Sequence, residues 1–166
     1  AAVEKCLKMI ENTYADVAKY QDACGIALTE EDARRLKAEG KKAFFLGIEN
    51  GYAIGKDIKN VKKFKDMGIQ YMTLSHSYDN DICNSSSNTE DASKGLTAFG
   101  RKVVKEMNKV GMMIDVSHVS EGTFWDVIKY SKDPIFASHS SVKALCDHDR
   151  NLTDDQLRAL AKNGGV

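Results

Sequence analysis

Polar and apolar residues alternate along this chain in two periods that keep exchanging places. Apolar positions recur at helical spacing from residue 3 to about residue 19. A second helix is announced by LTEEDARRLKAEGK (28–41), where Thr29 can cap the first turn, three acidic residues favour its positive end and Gly40 stops it. The period then breaks. AFFLGI (43–48) is a continuous apolar run of strand length, and a strand without polar alternation predicts burial on both faces, as in a parallel sheet.

The same unit repeats. A helix over 58–67 closed by Gly68 leads to a strand over 69–74, and a helix over 99–110 closed by Gly111 leads to a strand over 112–116. A further helix over 121–130, capped by Ser120, leads to a strand over 135–137, and Thr153 caps another helix before the chain reaches Asn163-Gly164-Gly165-Val166. Alternation of this kind predicts the α/β class, with parallel βα units joined by right-handed crossovers. One connection is long: SYDNDICNSSSNTEDASKG (77–95) is rich in Ser, Asn and Asp, has no apolar period, and reads as a loop at the carboxyl ends of the strands, where loops cover or line sites.

Composition narrows the classes. The 24 basic and 24 acidic side chains cancel, and the one lysine cluster (Lys56, Lys59, Lys62, Lys63, Lys65) has helical spacing, so a solvated helix face is the plainer reading and no nucleic-acid partner is expected. No apolar run approaches the roughly 20 residues of a membrane span. A soluble chain, cytoplasmic rather than exported, is therefore expected. Cys6, Cys24, Cys83 and Cys146 form no C-x-x-C pair; reduced thiols are the plain reading, and the even count leaves room for a disulfide.

Chemistry enters at the strand ends. Glu49 follows AFFLGI, His76 follows YMTLS, His118 follows IDVS and His139 follows IFAS. Ligands of open parallel sheets and of (β/α)8 barrels bind beyond the carboxyl ends of the strands, so these four side chains are expected at one rim. Each alone reads as a hydrogen-bonded structural residue. Together, three imidazoles and a carboxylate are costly to desolvate, and a divalent metal is the commonest group that makes such a cluster favourable. Imidazole with carboxylate suits zinc, with iron, manganese, nickel or cobalt as alternatives, and two His with one Glu leave a coordination position open for an activated water. A hydrolase follows. Arg150, in CDHDRNLT, can return to the same rim and grip a substrate carboxylate, or serve only as a capping or surface charge.

These residues resemble the membrane (renal) dipeptidases, zinc-dependent enzymes. The likeness runs through GIENG, YMTLSH, GLTAFGRKVVKEMNKVGMMIDVSHVS, FWDVI, PIFASHSS and LCDHDRNLTDDQLRALAKNGG, dense over residues 43–166. It implies a (β/α)8 TIM barrel with two zinc ions that hydrolyses dipeptides, of which this chain supplies about four strands as a single partial domain over 1–166. By resemblance Glu49 is the bridging ligand, His118 and His139 hold one zinc, His76 polarises the substrate carbonyl and Arg150 meets the substrate carboxylate. Asp115 is a candidate support behind the ligands, from its position in IDVSH alone.

The chain departs from the family pattern at Glu49-Asn50-Gly51, where the family has Glu-Gly-Gly, and no His-x-Asp pair precedes Glu49. It is accordingly read as an internal piece of a longer enzyme. Unpaired strand edges predict association with the remaining segments of the same barrel, or self-association as a homo-oligomer. The expected activity is metal-dependent dipeptide hydrolysis by the full-length parent, with this piece alone inactive. A metal-binding but catalytically inactive module is the alternative, and an α/β interaction domain a third.

Overall fold

The computed structural model describes residues 1–88 and 90–166. Its helices are α1 (Ala2–Lys19), α2 (Glu30–Ala38), α3 (Lys59–Asp66), α4 (Ala98–Val110), α5 (Glu121–Tyr130) and α6 (Asp154–Lys162). Its strands are β1 (Cys24–Ile26), β2 (Lys42–Phe44), β3 (Leu46–Glu49), β4 (Ile69–Thr73) and β5 (Met113–Asp115). A short 3-10 turn occupies Gly51–Ile54.

The helix ends follow local chemistry. Thr29 and Asp32 form a reciprocal capping box on α2, and Thr153 and Gln156 do the same on α6. The side chains of Thr97 and Ser120 accept from the first turns of α4 and α5, and α4 ends on left-handed Gly111.

Both sheets are parallel, as expected: β3, β4 and β5 form one in that order, and β1 and β2 form the other. The run expected as one strand over 43–48 is therefore two. Residues up to Phe44 pair with β1, residues from Leu46 pair with β4, and Phe45 lies between them. The strand β1 was not foreseen, because CGI is too short to show a period. The apolar run is also not buried on both faces, since Phe44 and Phe45 are 46% and 47% exposed.

The expected strand over 135–137 is reduced to one parallel bridge, Asp115 to Phe136. The Phe136 N–H donates to Ile114 O (3.0 Å) and the Val116 N–H to Phe136 O (2.8 Å), so this segment still stands beside β5 as a fourth rung.

Register fixes which residues share a face. Ile48, Met72 and Ile114 stand opposite one another and are buried. They belong to one core with Val61 and Phe64 of α3, Val103, Val104 and Met107 of α4, and Phe124 and Val127 of α5. The alternate rows, Gly47–Tyr71–Met113 and Glu49–Thr73–Asp115, line the other face. A Cβ on Gly47 would lie 2.1 Å from the Tyr71 ring, so the ring occupies the room that a side chain at residue 47 would need.

The long connection after β4 is a loop, but one tied down by its own residues. The Asp79 carboxylate accepts from Asn84 Nδ2, the Ser85 N–H and Asn88 Nδ2 at 2.6 to 2.8 Å. Ile82 and Cys83, read as featureless in the sequence, are buried. Gly100 lets the Ile82 carbonyl approach α4: a Cβ there would lie 2.0 Å from that oxygen, which accepts the Thr97 N–H at 2.9 Å. Thr89, within this stretch, lies outside the described residues.

Candidate metal centre

The strand ends deliver their polar residues to one rim. Glu49 is the last residue of β3, His76 and His118 each follow their strands by three residues, and His139 follows the Phe136 bridge by three. Glu49 is the hub. Its Oε1 lies 3.2 Å from His118 Nε2, 3.2 Å from His139 Nε2 and 3.6 Å from His76 Nε2. The facing nitrogens of His118 and His139 are 2.8 Å apart.

Glu49 Oε1, His118 Nε2 and His139 Nε2 thus form a small triangle, compact enough for one ion to stand about 2.0–2.2 Å from each corner, the usual zinc distances. Glu49, His76 and His118 make an overlapping donor set, with one ligand atom from each lying within 4.8 Å of the others. The donors fit a metal of the borderline-soft class.

Two backbone features hold the cluster. His118 and Asn50 are the positive-φ residues other than glycine among the described residues, at 69° and 87°. His118 stands in the left-handed region, and such strain persists where surrounding contacts over-determine it. Here the contacts are hydrogen bonds to its carbonyl, from Ser75 Oγ (3.2 Å) and the Ser86 N–H (2.8 Å). Asn50, where the resemblance leads one to expect glycine, tolerates this conformation. Its Oδ1 accepts from the Tyr52 N–H (3.1 Å) and Asn80 Nδ2 (3.0 Å), so the departure links β3 to the long loop.

The electrostatics favour neutral imidazole at the centre. Burial first, then the charges of Arg150, His76 and His139, push the His118 pKa down to about 4 against the pull of Glu49. A neutral ring has a lone pair to offer a metal at physiological pH.

Asp115 is fully buried beneath the rim. Burial alone would raise its pKa, but the hydroxyls of Ser138 and Thr73 and the N–H groups of Ser117 and Ser138 outweigh it and hold the carboxyl below its ordinary value. The candidate support from IDVSH is thus a hydrogen-bonded carboxylate joining β4, β5 and the His139 segment.

Arg150 also reaches the rim region. Its Nη2 donates to His139 O (3.2 Å), and its backbone N–H donates to His148 Nδ1 (3.0 Å). With His118 and Ser86 it lines a cavity of ≈ 140 Å³. Arg150 Nη1, His118 Nδ1 and Ser86 Oγ are buried without a hydrogen-bond partner among the described residues. The serines and the threonine around the histidines escaped the sequence reading. The one available signal was that both imidazoles of the close pair sit in Ser-His.

The model of the family described as membrane dipeptidase, peptidase family M19, matches residues 1–166. The chain belongs to that family. Similar to it is an uncharacterised dipeptidase of Schizosaccharomyces pombe, 35% identical over 99% of this chain and 40% of the relative. Among solved structures, an amidohydrolase from Pseudomonas aeruginosa superposes with a TM-score of 0.93 at 30% identity, covering 98% of this chain and 49% of that one. A metallopeptidase from Rhodobacter sphaeroides, solved with a phosphinate mimic of the dipeptide L-Ala-D-Ala, gives 0.90 at 27% identity, covering 96% and 47%.

This membrane dipeptidase family chain therefore spans less than half the length of these relatives. Its parallel βα units are part of a (β/α)8 barrel that it leaves incomplete. Among the described residues no helix is long and apolar enough to cross a membrane.

Proposed function

We propose that the protein of which this chain is a part hydrolyses dipeptides at a zinc centre that Glu49, His118 and His139 would hold. The convergence of three imidazole nitrogens on one Glu49 oxygen carries this reading. When bound, the metal supplies Lewis acidity that makes water a nucleophile near neutral pH. The R. sphaeroides relative with its dipeptide mimic supports the substrate class.

In this reading His76 stands beside the ligands, its ring centre 4.2 Å from that of His118 and its Nδ1 2.9 Å from Ser77 Oγ. A donor there meets the carbonyl oxygen as negative charge builds on it, an effect worth about 10²- to 10³-fold in rate. Arg150 is the partner of the substrate carboxylate, holding the peptide bond in line. The Nη2 bond to His139 O at 3.2 Å, which keeps the guanidinium beside the rim, supports that role.

A second reading is a module that binds metal without turning over substrate. The compact triangle of Glu49 Oε1, His118 Nε2 and His139 Nε2 favours it, because holding an ion needs these donors alone. Zinc content and dipeptide hydrolysis, measured on the full-length protein and on its Glu49→Gln, His118→Ala and His139→Ala variants, separate the readings. Zinc uptake with hydrolysis, both lost in the variants, supports the enzyme; zinc uptake without hydrolysis supports the module. Zinc bound equally by wild type and all three variants contradicts the ligand assignment in either case.

A further inference from the structure

The ligand histidines sit on a layer of hydroxyl groups, and one path through that layer is short throughout. Asp115 Oδ2 accepts from Thr73 Oγ1 and from Ser138 Oγ, each at 2.6 Å. Its Oδ1 accepts the Ser117 and Ser138 N–H groups, each at 3.0 Å. The same Ser138 Oγ lies 2.6 Å from His139 Nδ1. The far side of that ring, Nε2, faces Glu49.

A serine hydroxyl has one proton and so can donate in one direction only. Two backbone N–H groups and the Thr73 hydroxyl aimed at one carboxylate favour its charged form, which accepts and cannot donate. The Ser138 proton must then point to Asp115, because turning it away would set an anionic oxygen against lone pairs. Ser138 Oγ is left as an acceptor toward His139, which can satisfy it only by carrying its own proton on Nδ1. In the neutral ring the lone pair is then on Nε2, on the side of Glu49 and His118.

Resting on the metal reading above, we propose that Asp115 and Ser138 are positioning residues whose hydrogen-bond relay fixes His139 as the Nδ1–H tautomer and leaves Nε2 free to bind a cation. The ring is steadied as well as polarised. Its backbone N–H donates to Ser117 Oγ at 3.0 Å, and Ser117 in turn donates its own N–H to Asp115. One buried carboxylate thereby sets both the place and the proton of the ligand, a role that carboxylates behind metal-binding histidines commonly play directly rather than through serine.

The test reads the tautomer without metal. Long-range proton–nitrogen correlation of the imidazoles in the metal-free chain is tractable because the chain has only 4 His, with His139→Asn as the assignment control. The expected result is an Nδ1–H pattern for His139 in the wild type that Ser138→Ala shifts toward Nε2–H and Ser138→Thr restores. Asp115→Asn shifts it the same way, since an amide N–H donated to Ser138 Oγ turns the hydroxyl proton round to His139. In zinc titrations Ser138→Ala weakens binding about 10- to 100-fold and Ser138→Thr recovers most of the loss. An Nε2–H pattern in the wild type, or a pattern unmoved by Ser138→Ala, overturns the relay even if zinc affinity falls. A wild-type chain that takes up no zinc contradicts the metal reading instead, while the tautomer still decides the relay.

Discussion

Met72 and Met113 lie on neighbouring strands of one sheet, and they live in different worlds. Met72 is fully buried among the helices, whereas Met113 is 49% exposed on the opposite face. The outer face of β3–β4–β5 is closed by α3, α4 and α5 and is a finished core. On the inner face Tyr71 rests edge-on against Phe136, with ring centres 5.3 Å apart, and the titratable residues collect at its upper end. One face of the same backbone provides the packed core and the other gathers the titratable side chains, and the period of two separates them.

The sharpest way to break this contrast is to truncate both methionines. Met72→Ala leaves a cavity in a packed interior and is expected to cost about 2–5 kcal/mol, read from denaturant unfolding. An equal loss at both positions would mean that the inner face is as closed as the outer.

A smaller effect comes from pH. With metal removed by a chelator, the depressed His118 pKa means that the unfolded chain binds more protons than the folded one between about 6.5 and about 4. Stability is fully present above that window and declines as pH falls through it. His118→Asn flattens this limb, and thermal unfolding across the range checks it. Asp115, whose carboxyl is held below 3.8, adds a further loss only at lower pH, as it protonates. The smallest effect is Met113→Ala, expected to change unfolding free energy by less than about 1 kcal/mol because much of its side chain already meets water.

How much of this was legible depended on the range of the signal. Thr29, Ser120 and Thr153 cap helices through bonds three residues long, and sequence alone reads such bonds well. Glu49, His76, His118 and His139 were legible as strand ends, and strand ends of a parallel sheet meet. What escaped was whatever depends on a distant partner. AFFLGI does not reveal that Phe44 and Leu46 hydrogen-bond in different sheets. Nor does a serine before a histidine reveal its proton acceptor, because Asp115 and Ser138 stand 23 residues apart. Ile82 and Cys83 were lost in a polar loop whose anchoring to α4 is a matter of one close glycine.

The shared rung of Glu49, Thr73 and Asp115 has one more consequence. Slide β3 by a single residue and Ile48 would take the carboxylate's place at the rim while Glu49 turned into the hydrocarbon interior, so the same error would spoil both faces at once. A molecule that gathers its imidazoles around Glu49 has thereby proofread its own strand alignment.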